Sequence, residues 1–120
     1  MKYLWLLMLV LLPGCATEAG DPAETVERYL QAKVDGDAET IQALLCAEME
    51  SVLERETRTF ATVTDVRLED MNCTRVDEAD TVRCEGQIVA AYGAENNVFP
   101  LTTYRVVQED DGWKWCGEAS

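Results

Sequence analysis

Residues 24–45 read ETVERYLQAKVDGDAETIQALL. Val26, Tyr29, Leu30 and Val34 recur at helical spacing, which places them on one apolar face. Upstream, Asp21-Pro22-Ala23-Glu24 supplies an N-cap acceptor, a proline in the first turn and an acidic residue at N3. Asp35-Gly36-Asp37 stops this helix, and Asp37 offers the N-cap of a second. Ile41, Leu44, Leu45, Met49, Val52 and Leu53 continue on one stripe, so the spacing predicts a second helix running past Leu53. Cys46 lies off that stripe by about a third of a turn, at the helix flank.

Beyond Phe60 the pattern changes to alternating and β-branched residues. Strands are predicted over Thr62–Val76, Thr81–Tyr92, Val98–Gln108 and Trp113–Gly117. They are separated by the turn segments Asp77–Asp80, Gly93–Asn97 and Glu109–Gly112. Alternation slips between Leu68 and Met71, which predicts a β-bulge, and Pro100 predicts a sheet edge or a second bulge. The order of elements gives an α+β fold, with two N-terminal helices packed on a curved antiparallel four-stranded sheet.

The chain has 120 residues with 23 acidic and ten basic side chains, and no histidine. One domain of about 100 residues is what this length accommodates. A net charge of −13 argues against a nucleic-acid partner, because that affinity rests on cations neutralising phosphates. Without histidine, His-based triads and His-ligated zinc are excluded.

At the N-terminus, Lys2 precedes an apolar run from Tyr3 to Leu12, too short for the roughly 20 residues of a membrane span. It fits the apolar core of a signal peptide. Leu12-Pro13-Gly14-Cys15 resembles the lipobox of bacterial lipoproteins. The resemblance implies a signal peptide over 1–14, acylation of Cys15, a lipidated tether over 15–20 and a folded domain over 21–120. The expected location is the outer side of the cytoplasmic membrane or the outer membrane, with the bilayer as a partner through Cys15.

Four cysteines then remain, an even number that reads as a disulfide framework in an exported chain, with three possible connectivities. If Val76 faces Thr81 across the Asp77–Asp80 turn, Cys73 faces Cys84 at bridging distance. Cys46 would then pair with Cys116.

"ETVERYLQAKVDGDAETIQALL" and the closing "YRVVQEDDGWKWCGE" (104–118) resemble the opening helices and final hairpin of small NTF2-like (cystatin-like) domains. The resemblance implies a cone whose mouth can hold a small molecule. Relatives of this kind include isomerases, dehydratases, dimeric transport factors and binding modules, so fold alone does not choose among them. Tyr29 on the first helix, Tyr92 and Tyr104 beside the Gly93–Asn97 turn, and Trp113 and Trp115 on the last strand are the candidate pocket residues. In isomerase-like relatives a helical tyrosine supports an oxyanion, but no carboxylate in an apolar strand matches the one used there. The acidic runs Glu48/Glu50/Glu54/Glu56, Asp77/Glu78/Asp80 and Glu109/Asp110/Asp111 read as solvated faces. The turn run lacks calcium-loop spacing.

No catalytic residue, metal site or cofactor is therefore assigned. The expected function is a non-catalytic, membrane-anchored domain that binds a small ligand or a cell-envelope protein. A small isomerase or dehydratase using a pocket tyrosine and a carboxylate is the alternative, and a homodimer through the open sheet face is a further possibility.

Overall fold

A computed structural model describes residues 20–119. The signal-peptide reading, Cys15 and almost all of the tether lie outside those residues. Helix α1 (Pro22–Asp35) starts where Asp21 accepts a hydrogen bond from the Ala23 N–H at 2.9 Å. It ends at Gly36, whose left-handed φ of 68° lets its N–H reach back to the Ala32 and Lys33 carbonyls. Helix α2 (Ala38–Leu44) is capped by Asp37, which accepts from both the Thr40 N–H and its hydroxyl. Val26, Tyr29, Leu30, Val34 and Ile41 are all buried, as their spacing predicts.

The second helix does not run on past Leu44. Leu45 is extended and bridges to Trp115, and the Cys46 N–H donates to the Trp115 carbonyl at 2.9 Å. Glu109 Oε2 then takes the Ala47 N–H. Backbone groups that a continuous helix would satisfy internally are satisfied here by the last hairpin. The chain resumes as a 3-10 segment (Ala47–Val52) and a short helix α3 (Leu53–Thr57). Cys46 is accordingly 1% exposed, in the core rather than at a helix flank. Lys114, itself buried, donates to the Ala43 carbonyl and so caps the open C-terminal end of α2.

The sheet is antiparallel with five strands: β1 (Asp65–Arg75), β2 (Thr81–Tyr92), β3 (Glu95–Pro100), β4 (Thr103–Glu109) and β5 (Gly112–Glu118). The order is β1-β2-β4-β5, with β3 also on β2. Five strands replace the expected four because the Val98–Gln108 run is interrupted after Pro100. Residues 87–92 of β2 pair with β3, and residues 81–83 pair with β4. At the interruption the Leu101 N–H still donates to the Gly86 carbonyl, and the Thr102 carbonyl accepts from Cys84. The two strands thus follow one edge of β2 with a bend between them.

The bulge predicted in β1 falls between Glu69 and Asn72, with Asp70 at a φ of 57°. Gly86 lies against it. A Cβ there would stand 2.6 Å from both the Glu69 and Asp70 carbonyl oxygens, so only glycine permits the approach. Immediately after the bulge Glu27 Oε2, from α1, accepts from the Cys73 N–H at 2.9 Å. Cys73 and Cys84 are register partners with Cα atoms 4.0 Å apart, and their sulfurs are bonded. The second bonded pair is Cys46 and Cys116, with Cα atoms 5.3 Å apart. Among the described residues no helix is long and apolar enough to cross a membrane.

Candidate functional site

With the bulge in β1 and the bend between β3 and β4, a hollow is left between the sheet and the helices. Its volume is about 580 Å³, within the range of small-molecule sites. The walls are mostly apolar: Leu30 from α1, Phe60, Ile88 from β2, Phe99 and Leu101 around the β3–β4 bend, and Trp115 from β5. Lys33, Arg55 and Glu56 form one polar end, and Glu118 and Tyr104 meet the cavity from paired positions on β5 and β4.

Glu56 organises this end. It is 4% exposed, and Oε1 accepts from the Tyr29 hydroxyl at 2.6 Å. Lys33 Nζ approaches the same oxygen at 3.1 Å, while an Arg55 guanidinium nitrogen lies 3.5 Å from Oε2. A carboxylate this deep persists only when paired and hydrogen-bonded, and these three groups do both. The Tyr29 ring stacks on Trp115, with centroids 4.0 Å apart and planes within 10°. Lys33 Nζ sits 5.9 Å over the same indole. Trp115 Nε1 is buried and finds no acceptor among the described residues.

Burial first, then the hydrogen bond to Glu56 and its negative charge, push the Tyr29 hydroxyl well above the usual tyrosine range. Burial also raises Tyr104. A tyrosine with a raised value keeps its proton in the folded state after the unfolded chain has released it. That contribution to stability is intact below the ordinary value of about 10 and falls as pH rises above it. Alkaline unfolding is therefore expected to steepen above about pH 10. Replacing Tyr29 by phenylalanine should flatten that limb, with tyrosinate absorbance and circular dichroism recorded together as the check. The same slope in both proteins would show that Tyr29 ionises freely in the fold.

Of the sequence-predicted residues, Tyr92, Tyr104 and Trp115 line the cavity. Tyr29 does not: it is fully buried beneath Trp115 and reaches the site only through Glu56. Trp113 is also away from the lining. It packs half-buried against the edge of the core, with the Arg75 guanidinium 5.0 Å over its ring. Alternation puts Trp113 and Trp115 on one side of the strand, but of the two only Trp115 lines the cavity.

Glu56, Lys33, Phe60 and Phe99 are additions that the sequence reading lacked. Glu56 in particular departs from the solvated face assigned to its run. A signal for it exists: it stands three residues after Leu53 and four after Val52, the next position on the apolar stripe. Among the described residues, Cys46, Glu48 and Cys116 cluster as metal ligands would. The two sulfurs are bonded to each other, so no thiolate is left to coordinate an ion.

No protein-family model matches the chain, and no curated protein matches it significantly. Its structure is similar to that of a candidate dehydratase of the NTF2-like family from Streptomyces avermitilis. The TM-score is 0.55 at 17% identity, over 81% of this chain and 93% of that one. At that identity the likeness speaks for architecture and not for activity. The α+β fold of this chain, three helices against a curved five-stranded antiparallel sheet, is an NTF2-like fold.

Proposed function

We propose that this domain is an exported, lipid-anchored binding module that holds a small, largely apolar ligand in the cavity under α1 and does not turn it over. The anchor rests on the Leu12-Pro13-Gly14-Cys15 lipobox. Paired cysteines support export, since such pairs persist in oxidising compartments.

The observation that carries the binding reading is the state of Glu56. Oε1 is taken by Tyr29 and Lys33 and Oε2 is approached by Arg55, so about three of the carboxylate's roughly four acceptor positions are engaged, which disfavours it as a proton carrier. The alternative, an isomerase or dehydratase, would draw on the same 2.6 Å Tyr29–Glu56 contact. Tyr29 is poorly suited to it, because its hydroxyl is spent on Glu56 and its ring lies behind Trp115.

Intact mass of protein extracted gently from native membranes tests the proposal. The expected denatured mass is that of the chain from Cys15 onward plus acyl groups. Under native conditions an additional small molecule should be retained, and it should be lost on denaturation. A bare chain that turns over a small substrate, with activity abolished in Tyr29→Phe, would transfer the site to the enzymatic reading.

A further inference from the structure

From the donor count at the polar end of the cavity we infer that the ligand is an apolar monocarboxylate, seated with its carboxylate between Lys33 and Arg55. This rests on the binding reading above and specifies its ligand class. Two cations share one buried carboxylate there. Glu56 accepts from three groups and is nearly saturated, whereas an ammonium carries three donors and a guanidinium five. Lys33 and Arg55 are each paired with Glu56 alone among ion pairs of the described residues, so more donors than acceptors remain to spare.

The local charge has the same sense. In a chain of net charge −13, this end of the cavity carries two positive side chains against one buried negative one. Glu118, the other carboxylate of the lining, is exposed and screened by solvent, as Arg55 is, so the excess positive charge at this end is partial and is centred on Lys33. An amine head would meet two cations, and the acceptors left to it are one position on Glu56 and the solvated Glu118. A neutral hydroxyl would use the spare donors without the charge-assisted part of the bond. The body of the ligand would lie along Trp115, Phe60 and Phe99.

The probes are octanoate, octanol and octylamine, which share one chain and differ in head group. Binding is measured to the full chain held in lipid nanodiscs, with empty nanodiscs as the blank. Octanoate is expected to bind about tenfold tighter than octanol, the margin of one charge-assisted hydrogen bond, and octylamine more weakly than either. Shortening the acid by one methylene should cost roughly fourfold. Lys33→Met should weaken octanoate severalfold more than it weakens octanol, so that the margin between the two closes. Arg55→Gln should do the same in part, and this side chain is 67% exposed, so the variant folds. Glu56→Gln should tighten octanoate severalfold, because it removes a like charge while keeping an acceptor for Tyr29. If octanol binds as tightly as octanoate, or octylamine binds best, the carboxylate inference fails while the binding reading stands. If none binds above the blank and the native protein retains no small molecule, both fail together.

Discussion

Replacing Glu56 by leucine is expected to destabilise the domain by about 3 kcal/mol, several times the effect of any other glutamate in its run. The magnitude follows from breaking a buried pair on one side only, which leaves the partners desolvated and uncompensated. The Tyr29 hydroxyl, fully enclosed, would lose its acceptor, and Lys33 would retain a charge with only part of its side chain in water. Glu54→Leu is the control. Glu54 is two positions away and bridges Arg58 at 3.4 Å, but its side chain is 83% exposed, so its loss should stay within about 0.5 kcal/mol. Adding Lys33→Met to Glu56→Leu should recover part of the loss, since an apolar pair can replace a buried ionic one. Urea midpoints at constant m-value measure all three. A Glu56→Leu protein as stable as the Glu54→Leu control would mean that the carboxylate is solvated and that the polar end of the cavity is not built as described.

The contrast between Glu54 and Glu56 also marks what could be read from the chain beforehand. Helix α1 was legible because its cap, its apolar face and its glycine stop all agree between Asp21 and Gly36. Cys73 facing Cys84 and the bulge between Glu69 and Asn72 were legible because a hairpin's register depends on local turn length and alternation. The break after Leu44 was not. The apolar stripe from Ile41 to Leu53 is compatible with one helix, and what ends it is a strand seventy residues downstream that takes the backbone of Leu45 and Cys46. Glu56 is a different case: its place on the stripe after Val52 and Leu53 was legible, but the charges of its run read as a solvated face. The division of the third strand had a clearer omen in Pro100, which lacks an N–H for the ladder. The tyrosines and tryptophans were chosen by residue type, and type does not decide which aromatic lines a cavity. Trp115 lines it, and Trp113, two residues earlier on the same side of the strand, does not.

Removing the Cys46–Cys116 bridge is expected to cost more than removing Cys73–Cys84, and to damage the site as well as the stability. Loop length sets the first difference. A separation of 70 residues gives about 4 kcal/mol in the chain-entropy model, and a separation of 11 gives about 3 kcal/mol. Position sets the second. Cys73–Cys84 joins strands that the β1–β2 ladder already holds in register, so serine at both positions should lower the midpoint and leave the cavity intact. Cys46–Cys116 fastens the break between α2 and the 3-10 segment to β5, immediately beside Trp115. Without it, the Cys46–Trp115 backbone hydrogen bond, the Leu45 bridge and the Lys114 contact to the Ala43 carbonyl are what hold that break to the strand bearing the indole. The indole would be free to leave Tyr29, and Lys33 would lose the ring beneath it. The Cys46→Ser/Cys116→Ser protein should therefore show an altered tryptophan emission before unfolding and weakened ligand retention, neither of which the other double variant shows. Losses of stability that differ only by that loop-length margin, with unchanged emission in both, would show that the long bridge acts on the unfolded chain alone, and that the floor of the cavity is held by packing of Trp115 against Tyr29 and Tyr104.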